Sequence, residues 1–121
     1  MQIFQNKAFH RWAQELGISD RKLQEAVDEI DQGLYEANLG GNVFKKRVSL
    51  EGRGKSAGAR TIVAFKTDKG AFFVYGYAKN VRSNISEHEE IALKKLARLY
   101  FSYTEDQLAR ALSVGELMEV K

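Results

Sequence analysis

The period of the sequence changes at Val43. From there Phe44, Lys46, Val48 and Leu50 alternate with Lys45, Arg47 and Ser49, a spacing that puts successive side chains on opposite faces of an extended strand. One face of that strand is apolar apart from Lys46, and the other is basic. Two further β-branched and aromatic runs, Arg60 to Thr67 and Ala71 to Ala78, are separated by Asp68, Lys69 and Gly70, a compact hairpin connection. In the last run Phe73, Tyr75, Tyr77 and Lys79 are expected on a common face. The three runs predict an antiparallel sheet of three or four strands with helices on one side. The expected fold class is α+β.

Charge follows the same boundaries. The chain has 19 basic and 16 acidic residues, a net +3. Residues 43–82 hold ten of the basic ones (Lys45, Lys46, Arg47, Arg53, Lys55, Arg60, Lys66, Lys69, Lys79, Arg82) and only Glu51 and Asp68 of the acids, a local +8. The flanks are left with nine basic and 14 acidic residues, −5. A basic sheet with aromatics among its charges reads as a surface for a phosphate-bearing polymer.

The 121 residues, 44% of them hydrophobic and 29% charged, suit one domain spanning 1–121. The most apolar windows are too short to cross a bilayer and the N-terminus lacks the apolar run of a secretory signal, so a cytoplasmic location is expected. Without cysteine, disulfides, thiolate metal sites and a cysteine nucleophile are excluded. His10 and His88 stand alone, and no ligand spacing suggests a metal. No cofactor is expected.

Outside the sheet, Met1 to Phe4 reads as an edge strand. Phe9, Trp12, Ala13 and Leu16 lie at helical spacing before Gly17, with Trp12 as a core anchor. Ser19 or Asp20 caps a second helix whose stripe is Leu23, Ala26, Val27, Ile30 and Leu34, its acids Glu25, Asp28, Glu29 and Asp31 facing water. Residues 36–42 (EANLGGN) read as a loop. Ser86 with Glu89 forms a capping box for a long helix striped by Ile91, Leu93, Leu96, Ala97, Leu99 and Tyr100. Thr104 with Gln107 repeats the signal for a shorter helix containing Leu108, Ala111 and Leu112, and the tail after Gly115 is a final edge strand or a docked extension.

Between the first two central strands lies EGRGKSAGAR. Gly54, Lys55 and Ser56 resemble the end of a Walker A loop, but Ser49 stands where that motif needs glycine, and no helix follows. A glycine-rich loop whose amides and cations, Arg53 and Lys55, approach a polynucleotide backbone fits better.

In combination these segments resemble the RelE/HigB superfamily of type II toxin-antitoxin toxins, in particular the group with a GKSxGxR loop and a YGxAKN strand end. The resemblance rests on Lys46, Arg47 and Val48, on Gly54 to Arg60, and on Phe73 to Asn80. It takes in Ile18 to Asp20, Asn38 to Gly40 and Gly115 to Leu117. It implies a RelE-like, microbial-RNase-type fold: a small antiparallel sheet against two N-terminal helices, with C-terminal helices. It also implies an mRNA endonuclease acting on the translating ribosome and silenced by a cognate antitoxin. A helix-turn-helix antitoxin would be the route to operator DNA, and no membrane partner is implied. By position, the functional cations fall on Lys45, Arg47, Arg60, Lys79 and Arg82.

The implied chemistry is attack by a ribose 2′-hydroxyl on its own 3′-phosphate, without metal. Arg47 and Arg60 suit stabilisation of the crowded phosphate, since a guanidinium donates paired hydrogen bonds to its oxygens. Lys45, Lys55 or Lys79 can neutralise flanking phosphates, and Lys45 is also a candidate base. The chain departs from the best-known members with Asn80 in place of an arginine and Ser86 in place of a late tyrosine, and acid and base stay unassigned. Tyr75 and Tyr77 have three open roles: proton donor, stacking platform for a base, or partial core packing. The expected set is therefore Lys45, Arg47, Arg60 and Lys79 for catalysis, and Arg53, Lys55, Tyr75, Tyr77, Asn80 and Arg82 for RNA contact. A binding module without nuclease activity and an inactive toxin relic are the competing readings.

Overall fold

A computed structural model describes residues 1–50 and 58–121. Its elements in chain order are β1 (Ile3–Asn6), α1 (Lys7–Leu16), α2 (Asp20–Asp31), β2 (Ala37–Gly40), β3 (Val43–Val48), β4 (Ala59–Lys66), β5 (Gly70–Ala78), α3 (Glu87–Ser102), α4 (Glu105–Ser113) and β6 (Leu117–Glu119). They form an α+β fold around one six-stranded sheet in the order β2-β3-β4-β5-β1-β6. Every neighbouring pair is antiparallel except β1 with β5.

Helices cover both faces of this sheet, where the sequence suggested one. The reason lies in β4, whose residues Ala59 to Phe65 are all buried, so the strand needs an apolar layer on each side. Phe9, Ala13, Leu23, Ala26, Val27 and Ile30 from α1 and α2 pack on one face with Val63, Phe65 and Phe73. Ala97, Tyr100, Phe101 and Ala111 from α3 and α4 pack on the other with Val43, Ile62, Ala64 and Phe72.

The helix caps follow the sequence. Ser19, Ser86 and Thr104 each accept from a backbone N–H of the first turn, and both capping boxes form. Two stripes are narrower than expected. α2 ends at Asp31, so Leu34 falls beyond it and is exposed, and α3 leaves Ile91 and Leu99 exposed because Phe101 takes their place in the core.

Three strand readings change. β1 is interior, between β5 and β6, with Phe4 fully buried and stacked on Phe72 at 5.2 Å between ring centroids. Residues 36–42 hold β2, joined to β3 by a two-residue turn in which Gly41 and Asn42 both have positive φ (64° and 63°). That turn suits the twist of a hairpin and places β2 at one edge of the sheet, with β6 at the other.

The third change repositions the aromatic side chains of β5. Ile62 pairs with Tyr75 but Val63 pairs with Phe73, so Val74 is an extra residue in a β-bulge. Phe73 therefore packs against Phe9 of α1 (5.0 Å), while Tyr75 turns to the other face. Phe73 and Tyr75 do not share the face that simple alternation assigned them. Asn6 fixes this bend from outside the strand. Its Nδ2 donates to the Val74 carbonyl (3.0 Å), and its Oδ1 accepts from Phe9 N–H (2.8 Å) to cap α1.

Trp12 packs against the α1/α2 core, as the sequence implied. Its ring lies over Gly76, where an added Cβ would sit 2.2 Å from the indole Cζ3. Gly76→Ala should therefore destabilise the protein by roughly 1–3 kcal/mol or more. Most of that loss should disappear in a Trp12→Leu background, as read by urea denaturation of the four members of the cycle.

Candidate nucleic-acid interface

Strand register gathers the basic side chains. Lys45 stands opposite Ile62, which stands opposite Tyr75; Arg47 stands opposite Arg60, which stands opposite Tyr77. Residues opposite one another in a ladder share a face, and this is the face that α3 and α4 cover at its other end. The helices close over Val43, Ile62, Ala64 and Phe72 and stop short of the Arg47–Arg60–Tyr77 row. The Val74 bulge brings Tyr75 and Tyr77 onto this surface. Lys46 points the opposite way, as alternation required, and is held by Glu29 (3.0 Å) and the Leu34 carbonyl (2.9 Å).

A carboxylate sits at the centre of the cations. Glu36, just before β2, donates its backbone N–H to the Lys45 carbonyl (2.8 Å). Its side chain reaches across β3: Oε1 accepts from Arg60 Nε at 2.9 Å, and Oε2 lies 3.7 Å from Lys45 Nζ. Arg60 is 3% exposed and among the described residues has otherwise only the Gly58 carbonyl, at 3.5 Å. A guanidinium so buried needs a charged acceptor, and Glu36 supplies it.

The connection from β5 to α3 forms the rim. Arg82 donates to both oxygens of Glu89 (2.8 and 2.5 Å), to the Tyr75 hydroxyl (3.1 Å) and to the Asn84 carbonyl (3.0 Å). Its guanidinium lies 5.9 Å from the centre of the Tyr77 ring. Glu89 also accepts from Ser86 N–H, so the residue that completes the α3 capping box also clamps Arg82. The bonds from Arg82 and then from Ser86 hold the Glu89 carboxyl down at about 2 and push Arg82 further above the usual arginine value. Burial, then the charge of Glu36, raises Tyr77.

Lys45, Arg47, Arg60, Tyr75, Tyr77 and Arg82 thus lie together. Arg47 is exposed on β3, while Lys79 and Asn80 are exposed on the turn after β5. Among the described residues, none of these three side chains has an ion-pair or hydrogen-bond partner. Tyr77 is almost fully buried, which removes it as a platform for a stacked base. Arg53, Lys55 and the rest of the glycine-rich segment from Glu51 to Ala57 lie outside the described residues. A groove between α2 and β3 is lined by Lys22, Glu25, Glu29 and Lys46 and is bordered by Glu36 and Arg47 of the cationic face; the mixed charges on its α2 side make that side a poor surface for a polyanion.

Three polar residues of the site were not in the sequence reading: Glu36, Asn84 and, beyond its cap, Glu89. Glu36 carried no signal, being an acid in an apparent loop. Asn84 Oδ1 accepts from Ile85 N–H (2.9 Å), Lys45 Nζ (3.2 Å) and the Tyr77 hydroxyl (3.4 Å).

Residues 1–120 match the family model described as RelE toxin of RelE / RelB toxin-antitoxin system. The chain belongs to the RelE toxin family. Among curated proteins none matches it. As a RelE toxin it is the toxic member of a toxin-antitoxin pair and has a cognate antitoxin as partner. Its mostly antiparallel sheet with four helices is consistent with a RelE-like fold. Among the described residues of this RelE toxin, no helix is long and apolar enough to cross a membrane.

The Arg82–Glu89 clamp has a pH signature. Glu89 titrates at about 2 here against 4.5 when unperturbed, so its stabilisation is present above about pH 5 and is lost as pH falls toward 2. The melting temperature of Glu89→Gln should lie below that of the wild type at pH 7, and the two should converge as pH approaches 2.

Proposed function

We propose that this RelE toxin is a metal-independent endoribonuclease that cuts mRNA on the translating ribosome in the cytoplasm. Its antitoxin is of the helix-turn-helix kind, and operator DNA is reached only through that partner. The observation that carries the reading is a carboxylate, Glu36, inserted between Lys45 and Arg60 on an otherwise cationic open face. Arg60 alone would be satisfied by a buried carboxylate; the Glu36 side chain is 32% exposed and lies beside Lys45, which supports a proton acceptor for phosphodiester cleavage among the cations.

The roles follow from access. Arg47 and Lys79, exposed and without ion-pair partners among the described residues, grip phosphate oxygens as charge builds on them. Glu36 takes the proton from the 2′-hydroxyl as its oxygen attacks phosphorus. The bond to the 5′-oxygen breaks, leaving a 2′,3′-cyclic phosphate and a 5′-hydroxyl whose proton comes from Tyr75. The Tyr75 hydroxyl accepts from Arg82, which leaves its own O–H free to donate. Lys45 faces two acceptors, Glu36 and Asn84; this supports a donor for Lys45 and moves the base from it to Glu36. Arg60, too buried to reach RNA, orients the Glu36 carboxylate. Arg53 and Lys55 supply further phosphate contacts, and Asn80 lies beside Lys79 at the rim.

Glu36→Gln keeps an oxygen for Arg60 Nε while removing the base. A pulse of its expression should leave growth and mRNA 5′ ends unchanged, where the wild type arrests growth and cuts within codons. Because Gln leaves the buried Arg60 charge without a carboxylate, the melting temperature of the variant should fall by several degrees or more, and cutting is compared at a temperature where circular dichroism shows it folded. Cleavage by folded Glu36→Gln at the wild-type rate would remove Glu36 as the base, and absence of cutting by the wild type would leave only RNA binding for this face. Separately, Arg47→Ala and Lys79→Ala should each weaken binding to single-stranded RNA and reduce the slope of log K against log salt by about 0.7.

A further inference from the structure

We propose that Asn84 is a phosphate-binding residue of this site, donating from its side-chain amide to a non-bridging oxygen of the scissile phosphate. This rests on the nuclease reading above. The partners of the Asn84 amide fix its orientation. Both Lys45 Nζ and Ile85 N–H can only donate, and both point at the same Asn84 atom, which must therefore be the oxygen. The Tyr77 hydroxyl adds a longer contact to that oxygen, and the backbone carbonyl of Asn84 is held by Arg82. Each acceptor of the residue is engaged, from β3, β5 and the rim.

What remains is Nδ2, with two N–H donors. Among the described residues it has no partner, and Asn84 is exposed. The amide is planar, so fixing Oδ1 against Lys45 and Tyr77 fixes the direction of these donors as well. They open to solvent beside Lys45, in the row next to Arg47 and Arg60. A neutral donor with no freedom to turn, placed among cations that concentrate phosphate, meets the requirement for stabilising charge that develops on a phosphoryl oxygen. A base edge could also accept from it, but the neighbouring cations favour the anion.

The test uses Asn84→Asp, which keeps the oxygen facing Lys45, Tyr77 and Ile85 and replaces only the outward amide. Asn84→Ser removes the amide without adding charge, and Ser83→Asp, on an exposed neighbour, controls for the added charge. Each is expressed as a short pulse in cells, new mRNA 5′ ends are mapped and normalised to protein level, and purified protein is melted to check folding. The expected result is a loss of cutting of about 100-fold in both Asn84 variants, with the positions of the remaining cuts unchanged and Ser83→Asp within threefold of wild type. Cutting by folded Asn84→Ser within threefold of wild type would overturn the inference. A redistribution of cut positions would assign the amide to a base instead and overturn it too. Absence of cuts from the wild type removes the nuclease reading itself, an outcome distinct from equal cutting by wild type and variants.

Discussion

The site depends on one charge that cannot reach water. Arg60 lies in the central strand at 3% exposure, and a guanidinium there is tolerable only with a carboxylate close by. Glu36 answers it from the start of the edge hairpin, and in doing so draws that hairpin across β3 and brings a carboxylate beside Lys45. The pair is only half hidden, because the Glu36 side chain is 32% exposed. That asymmetry matters for function. The arginine is a buried anchor, and the carboxylate it anchors is presented to the open face.

Around this pair the fold leaves one end of a two-sided sheet uncovered. α3 and α4 bury the apolar half of the face, and the chain entering α3 walls the rest, stiffened because Glu89 serves both the helix cap and Arg82. On the opposite face Asn6 caps α1 and holds the Val74 bulge. The bulge in turn rotates Tyr75 toward Arg82. Helix capping, strand irregularity and site geometry are thus linked through a few side chains, which makes the aromatic and cationic groups of the RelE toxin's face a rigid set.

Local signals were legible in the sequence. Alternation through Phe44, Lys46 and Val48 correctly separated Lys46 from Lys45 and Arg47, and the Ser86/Glu89 and Thr104/Gln107 boxes marked their helices. The apolar run Ile62 to Phe65 in β4 faces both helical layers, whereas the sequence reading placed helices on one side only. Effects that arise only on pairing were not legible. The Val74 bulge reverses the facing of Phe73 relative to Tyr75 without any glycine or proline to announce it. The burial of β1 depends on parallel pairing with β5 and on β6 from the far end of the chain. Glu36 enters the site because a hairpin places it there, and an isolated acid before Gly40 and Gly41 gives no hint of a partner 24 residues away. Charge counting did not reveal how the cations divide, since Arg60 and Arg82 are occupied by carboxylates.

The proposed function requires single-stranded RNA to lie across the exposed Arg47 and beside Lys45, with its backbone over Glu36 and above the buried Arg60 and Tyr77. The most direct test is a titration of isotopically labelled protein with a short RNA carrying a 2′-deoxy substitution at the cut position, followed through backbone and arginine side-chain resonances. Shifts concentrated at Glu36, Lys45, Arg47 and the 75–84 segment, with α2 unmoved and the effect weakening as salt rises, are the expected result. Saturable shifts centred on α1 or on the Lys22, Glu25 and Glu29 side of the α2–β3 groove, with Lys45 and the 75–84 segment unmoved, would contradict it.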